Sequence, residues 1–284
     1  MRTLGMDVSK WEGLINYPKA ISEGIKYVIV KASQWVADPR FAENWKNAKD
    51  VGLIRGAYHY LDWGLSEITQ AKKFVDTMGG DWGEIPPCLD LEMNPLPYGL
   101  NAEQVSGKAW NFVKEVEKLT GRIPMIYVGY YYWNSWGSNN LGWARYPLWL
   151  PWYATEAWIK ICTKGGTGAP KPWTDWTFWQ FTDRADGMKY GCQSLMVDMN
   201  WFNGSEDDLK KFISGGSTPP IPPPTNNKYV VAGVPISANV RSSPGGAIVG
   251  TVIKGKIVTG YELINGYRRI GINQWVWNAF LEKI

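Results

Sequence analysis

The sequence predicts an α/β chain in two parts, an irregular eight-stranded barrel with helices in its first portion and then a small all-β barrel. Three observations predict it. Eight short apolar or β-branched runs recur between residues 3 and 200, with amphipathic stretches between the first five. An uncharged stretch at 215–227, Gly-Gly-Ser-Thr-Pro-Pro-Ile-Pro-Pro-Pro-Thr-Asn-Asn, then breaks the pattern with five prolines in 13 residues. Beyond it the runs are short, β-rich and interrupted by Gly and Asn. A chain of 284 residues is long enough for two domains, since domains usually span about 100–200 residues. The expected boundaries are 1–214 for the first domain, 215–227 for a linker and 228–284 for the second domain.

Taken in order, the expected barrel strands cover 3–9, 27–33, 55–61, 86–93, 124–130, 147–153, 175–182 and 195–200. Helices fit at 17–24, 39–51, 66–78 and 102–119, the last with Asn101 as N-cap and Gly121 as its stop. After the fifth strand no comparably periodic helix appears, and the connections are rich in Gly, Trp, Asn and Pro. A helix at 206–213 closes the domain. The proline run favours extended polyproline II, spanning up to roughly 40 Å at about 3.1 Å per residue. The second domain carries β-rich runs at 229–231, 238–241, 248–253, 256–261, 267–272 and 275–277.

Charge is divided unevenly. Residues 228–284 hold seven Lys/Arg against two Asp/Glu, or +5, whereas residues 1–227 hold 23 against 24, or −1, which together make the net +4 of the chain. A basic module on a near-neutral body suits an anionic polymer surface, the plainer alternative being a solvated face without a ligand. No nucleic-acid motif is present. No apolar run approaches the roughly 18 residues of a membrane helix, and the start, Met-Arg-Thr-Leu-Gly-Met-Asp, has no apolar signal segment. The expectation is a soluble protein made in the cytoplasm, without membrane insertion, that needs another route if it acts outside the cell. Cys88, Cys162 and Cys192 have no metal-ligand spacing, and an odd count argues against a disulfide framework. One histidine, His59, excludes a multi-histidine metal site. The 18 Trp and 15 Tyr suit wet binding surfaces as well as cores, and sugar rings offer flat faces that stack on them.

The stretch at 86–94, Pro-Pro-Cys-Leu-Asp-Leu-Glu-Met-Asn, reads as a buried strand that carries two acids. Positions two apart in a strand share a face, with Cα atoms roughly 6.6 Å apart. Asp90 and Glu92 are therefore expected on one face with Cys88. Buried acids are rare unless paired, so two in an apolar strand point to a cleft, the alternative being an edge strand with one wet side. In barrels of this kind catalysis sits at the C-terminal ends of the strands. Those ends supply Asp7, Lys31, Ser33, Tyr58, His59, Asp90, Glu92, Tyr127, Tyr153, Gln180, Asp198 and Asn200. Closure makes the first and eighth strands neighbours, so Asp7 and Asp198 should face Asp90 and Glu92 across one mouth.

Paired carboxylates in an aromatic cleft fit glycoside hydrolysis, with one acid protonated and another charged. Glu92 has the longer reach and is the expected acid. The alternative use of the same acids is to hold Mg²⁺ or Ca²⁺, although no EF-hand loop or P-loop accompanies them. Tyr58, Tyr127, Tyr153, Gln180 and Lys31 are candidate substrate contacts or supports behind the acids. His59 is either a packed, hydrogen-bonded residue or a substrate ligand.

Several of these runs together resemble glycoside hydrolase family 25, the muramidases that lyse bacterial cell walls, over residues 3–203. The matching stretches are Gly5-Met-Asp7-Val-Ser-Lys-Trp11-Glu-Gly13, Val30-Lys31-Ala-Ser33, Gly56-Ala-Tyr58-His59-Tyr60, Leu89-Asp90-Leu-Glu92, Ile126-Tyr127, Leu148-Trp149, Trp179-Gln180-Phe181 and Val197-Asp198-Met-Asn200-Trp-Phe202. The resemblance implies an irregular (β/α)5(β)3 TIM-like barrel without a cofactor. It implies hydrolysis of the β-1,4 bond between N-acetylmuramic acid and N-acetylglucosamine in peptidoglycan. The general acid falls on Glu92 and the other active-site acids on Asp7, Asp90 and Asp198. A covalent intermediate and attack by the substrate's own acetamido group both remain open. Glu12 stands where the family commonly has glutamine, and Asn16-Tyr17 where it has Asp-Trp.

Ala238-Asn-Val-Arg241-Ser-Ser-Pro244, Gly250-Thr-Val, Lys254-Gly255 and Gln274-Trp275-Val-Trp277 with Phe280-Leu281 are similar to bacterial SH3-like wall-binding domains. Both resemblances together imply a phage or prophage endolysin released to the wall by a holin, with a bacterial autolysin as the alternative. Two other classes compete. A non-catalytic wall-binding protein has no need of all four acids, and a peptide-cleaving amidase lacks its usual zinc or Cys-His equipment.

Overall fold

The computed structural model describes residues 2–153, 168–214, 227–242, 246–260, 263–264, 267–271 and 274–283. The chain divides into two compact units, one covering Met1–Asn139 and Trp143–Ser217, the other having Thr218–Ile284 as its body. Nearly all of the expected linker, and Cys162, lie outside the described residues.

The first unit is a closed barrel of β1 (Thr3–Val8), β2 (Tyr27–Ser33), β3 (Ile54–Tyr60), β4 (Cys88–Asp90), β5 (Met125–Tyr127), β6 (Leu148–Pro151), β7 (Phe178–Asp186) and β8 (Met196–Phe202), in that order around the ring. Neighbours from β1 to β7 run parallel. β8 runs antiparallel to both β7 and β1, so the sheet is mixed where repeated strand-helix units would make it parallel throughout. The reason is connectivity: β7 and β8 are joined as a hairpin, and a hairpin can only be antiparallel.

Helices α1 (Tyr17–Ser22), α2 (Phe41–Asp50), α3 (Glu67–Met78) and α4 (Ala102–Thr120) follow the first four strands. Their ends are written in local chemistry. The Ser66 side chain accepts from Thr69 N–H at the start of α3, and Gly79 takes the left-handed conformation that ends it (φ 62°). Asn101 and Gln104 form a capping box on α4, which buries Val105, Ala109, Phe112, Val113 and Val116 on one stripe. A further helix, α5 (Tyr130–Trp136), follows β5, where the hydrophobic period gave no helix although the (β/α)5(β)3 resemblance implied one. Its sequence, Tyr-Tyr-Tyr-Trp-Asn-Ser-Trp, is aromatic on most sides and so lacks an apolar stripe. It is anchored by Trp133, whose ring meets Trp143 and Trp173 edge-on. Helix α6 (Glu206–Ile213) carries a Ser205–Asp208 capping box, acids in its first turn and lysines in its last, which complements its dipole.

The barrel is filled, not hollow. Tyr27, Ile29, Ile85, Cys88, Met125, Tyr127, Trp149, Phe178 and Phe202 form its inner core, with Leu209 of α6 against it. A larger apolar layer packs the helices on the outside. Gly5 is required here, because a Cβ would lie 2.3 Å from the Tyr27 ring.

β4 corrects the expected strand at 86–93. Pro86 and Pro87 offer no N–H for a ladder, and the strand ends at Asp90. Cys88 and Asp90 are thus the pair two apart within one strand, and Glu92 sits on the loop just past it.

The second unit is all-β. Among its described residues are a five-stranded sheet of order β11-β10-β15-β14-β13 and a three-stranded sheet β12-β9-β16. The strands are β9 (Asn227–Val231), β10 (Ser237–Arg241), β11 (Ile248–Ile253), β12 (Ile257–Gly260), β13 (Leu263–Ile264), β14 (Tyr267–Gly271), β15 (Gln274–Trp277) and β16 (Leu281–Lys283). Val231, Val234, Ala238, Val240 and Val276 form its small core.

Candidate active site

The C-terminal ends of β1 to β7 and the N-terminal end of the reversed β8 share one mouth. Barrel closure sets Asp7 of β1 directly opposite Asp198 of β8, and Gln180 of β7 opposite Asn200. The side chain of Asp7 is thereby brought to two amides that lie more than 170 residues away in sequence. Asp7 Oδ2 accepts from Asn200 Nδ2 at 2.7 Å and from Gln180 Nε2 at 3.0 Å. The same Nε2 reaches Asp198 Oδ2 at 3.2 Å. The other end of the amide, Gln180 Oε1, accepts from both the Tyr127 and the Tyr153 hydroxyls at 2.8 Å. Trp149 donates its indole N–H to Asn200 Oδ1 at 2.8 Å, which turns that amide's nitrogen toward Asp7.

Burial pushes Asp7 up to about 6 and Asp198 up to about 9, the Asp7 charge adding to the rise on Asp198. Amide donors hold Asp7 lower than burial alone would leave it. A charge on Asp7 thus disfavours a second charge on Asp198.

The second acid pair is at β4. Leu61 N–H donates to Asp90 O at 3.0 Å and Leu91 N–H to Tyr127 O at 2.9 Å, so neighbouring strands hold the segment on both sides. Asp90 is 6% exposed, and its Oδ1 is buried with no hydrogen-bond partner. Burial, then the Glu92 charge, pushes its carboxyl well above the usual range, while Lys31 opposes the rise. Glu92 is at the mouth and is also raised, chiefly by the protein walls that strip its solvation, again opposed by Lys31. The loop that carries it is pinned one residue on: Met93 O accepts from the Trp63 indole at 2.7 Å and from the Tyr132 hydroxyl at 2.9 Å.

The structure therefore brings Asp7, Asp90, Glu92 and Asp198 to one mouth with Lys31, Tyr58, Tyr127, Tyr153 and Gln180. Tyr127, Tyr153 and Gln180 are bonded to one another and to the acids. Tyr58 packs edge-on to Trp149 at 6.0 Å, and its hydroxyl is raised by burial and by the Asp7 and Asp90 charges. Lys31 donates to Gln34 Oε1 at 3.3 Å and stands 4.8 Å from the Tyr60 ring centre. His59 points away from this chemistry. It is fully buried between Ser33 Oγ (2.8 Å) and Gln70 Oε1 (3.1 Å), stacked on Phe112, and burial lowers it to about 4.

Sequence reading missed Trp63, Tyr132 and Trp149 as site residues. Strand alternation was the available signal for Trp149, two residues before the mouth on β6; Trp63 and Tyr132 lie on loop and helix with no such period. Glu12 is engaged locally, accepting from Ser9 N–H and Ser9 Oγ at 2.6 and 3.0 Å. Among the described residues no three or more His, Cys, Asp or Glu side chains are grouped to hold a metal ion.

The glycosyl hydrolases family 25 model matches residues 6–188, a span that ends before Asp198. Lysozyme M1 of Streptomyces globisporus is 34% identical over 211 residues, covering 71% of this chain and 68% of that protein. The N,O-diacetylmuramidase of Chalaropsis sp is 31% identical over 224 residues, 74% of this chain and 99% of that one. The solved structure of a family GH25 lysozyme from Aspergillus fumigatus superposes with a TM-score of 0.64 at 30% identity, covering 76% of this chain and all of that one. With a matching barrel, a matching family model and acids gathered at the strand ends, this chain belongs to glycosyl hydrolases family 25.

Proposed function

We propose that the protein is a muramidase that hydrolyses the β-1,4 bond between N-acetylmuramic acid and N-acetylglucosamine in peptidoglycan, with Glu92 as general acid. The carrying observation is geometric: Asp90 and Glu92 stand at the end of β4 in the mouth that Asp7 and Asp198 share, and burial raises both carboxyls of the β4 pair. The relatives named lysozyme and N,O-diacetylmuramidase support the substrate class.

The orphan Oδ1 of Asp90 suggests how the proton reaches Glu92. An acetamido N–H of an N-acetyl sugar is a donor of the right kind for that buried oxygen. Its bond favours the Asp90 anion, and the anion's charge in turn keeps Glu92 protonated. Glu92 then gives its proton to the glycosidic oxygen as the bond to the anomeric carbon breaks. An acetamido group oriented by Asp90 has its carbonyl oxygen free to attack that carbon, so this geometry favours the substrate-assisted course over a carboxylate nucleophile. Water opens the intermediate, with Glu92 taking back a proton.

We read residues 228–284 as an SH3-like module for an anionic cell-wall polymer. Its charge of +5 and its separate all-β core support this. A catalytic barrel joined to a basic module fits an endolysin made in a host cytoplasm and released to the wall by a holin-type opening.

The test is mass spectrometry of a peptidoglycan digest. The wild type should produce new reducing muramic acid ends, and Glu92→Gln should produce none while keeping its circular dichroism. New reducing glucosamine ends or free amino ends would overturn the proposal.

A further inference from the structure

We propose that Trp35 and Tyr98, on the rim loops that follow β2 and β4, form a sugar-binding subsite beside Glu92 that stacks a pyranose ring of the glycan strand. The inference rests on the muramidase reading and deepens it. It begins from an anomaly of exposure: Trp35 is 62% exposed and Tyr98 is 42% exposed.

Trp35 is exposed without being loose. Its indole N–H donates to Oδ2 of Asp62, a carboxylate only 1% exposed. The other oxygen of Asp62 accepts from Gly64 N–H at 2.7 Å. The Asp62 backbone is clamped at both groups by the buried Gln70, N–H to Oε1 and Nε2 to carbonyl, each at 2.8 Å. Burying a carboxylate is costly unless its bonds are satisfied. Here the cost is met to orient a ring that faces water, which no packing requirement explains.

Tyr98 joins the same turn. A Cβ on Gly64 would lie 3.1 Å from Asp62 Oδ1 and 3.3 Å from the Tyr98 ring, so the glycine permits the close approach of ring and turn. The turn is two residues beyond β3, whose last residue, Tyr60, pairs in register with Asp90. Lys31 stands over that Tyr60 ring. Tyr60 is in turn within electrostatic reach of Glu92, Asp90, Asp62 and Tyr98, so the arc from Trp35 through Asp62 to Tyr98 adjoins the acid cluster.

The chemistry of this arc selects a sugar. Two aromatic faces suit the axial C–H bonds of a pyranose, and Lys31, Gln34 and Glu92 interleave polar groups for its hydroxyls. The opposite arc, β5 to β7, is occupied by the bonded set Tyr127, Tyr153 and Gln180. Because Glu92 protonates the oxygen of the departing sugar, a ring held beside it extends recognition beyond the bond being cut. The subsite should therefore act on glycan length.

The experiment uses full-length Glu92→Gln, titrated calorimetrically with peptide-free muramic acid–glucosamine oligosaccharides of increasing length. Affinity should rise with length. Adding Trp35→Ala should weaken the longer ligands by about tenfold and flatten the dependence, Tyr98→Ala should act in the same direction, and Trp35→Tyr should restore most of the loss. Thermal unfolding midpoints establish that the variants are folded. Unchanged length dependence in both alanine variants overturns the subsite, as does an effect seen only with stem-peptide fragments. The muramidase reading fails separately, if the wild type releases no reducing muramic acid.

Discussion

The side-chain amide of Gln180 bridges Asp7 and Asp198, and it does so in one orientation only. Two phenols donate to its oxygen, so its nitrogen must face the acids. The amide thereby stabilises the ionised form of Asp7 and offsets part of the burial that raises it.

Gln180→Leu removes that donor. The carboxyl of Asp7, at about 6 in the intact site, should move upward, since its anion loses a hydrogen bond. The acid limb of the pH–rate profile should shift to higher pH, and kcat should fall by about 10²-fold. Tyr127→Phe removes one of two donors to Oε1 and should produce a smaller shift in the same direction. A carboxylate titration by NMR reads the change independently; an unmoved Asp7 would count against the bridge.

Trp63 and Tyr132 both donate to Met93 O, the carbonyl next to Glu92. Trp63→Phe and Tyr132→Phe should each lower kcat by roughly 3- to 30-fold through a less well-placed acid, with KM changed less. Equal losses in both constants would indicate a binding role. Steady-state kinetics on soluble glycan fragments separates the two.

His59 should make the barrel acid-sensitive. Its folded value is about 4 against 6.5 for the free side chain. Between these values the unfolded chain binds more protons, so stability falls as pH drops through that window. From this residue the loss between pH 7 and 5 is about 2 kcal/mol. His59→Gln should be less stable at pH 7, because it loses the Phe112 stack and one bond, but its stability should decline less steeply. Urea unfolding of both proteins at the two pH values measures the difference; parallel declines would refute the assignment.

Removal of residues 215–284 should weaken binding to intact walls more than cleavage of soluble fragments, because the basic charge lies in that part. The wall affinity of the full chain should also fall with added salt, as expected for charge attraction. Co-sedimentation with purified walls at two ionic strengths, compared with fragment turnover, provides the check. Equal wall binding by the truncated protein would contradict a tethering role.

Much of this protein was legible locally. Hydrophobic period placed all eight barrel strands, and Asn101 with Gly121 marked the ends of α4 where the structure has them. Strand-end position identified Asp7, Asp90 and Asp198 for the mouth, because alternation within a strand decides which side chains face inward. The same logic misjudged Glu92 as a strand residue, since prolines at 86 and 87 shorten β4 and the ladder stops at Asp90. Period alone also missed α5, whose aromatic sequence has no stripe to detect; only the (β/α)5(β)3 resemblance implied a helix there.

The sequence by itself determined the eight barrel strands, the first four helices, their order and the acids available, because period, caps and side-chain chemistry act over a few residues. Only the tertiary structure decided that Asn200 bonds Asp7 across 193 residues, that Gln180 reaches both Asp7 and Asp198, and that a buried Asp62 orients an exposed Trp35. The first two depend on barrel closure and on the reversed direction of β8, which set register between distant strands; the third depends on the side-by-side placing of β2 and β3. No local pattern carries that information, because the bonds that fix it exist only once the strands are paired and, for Asp7, once the ring is closed.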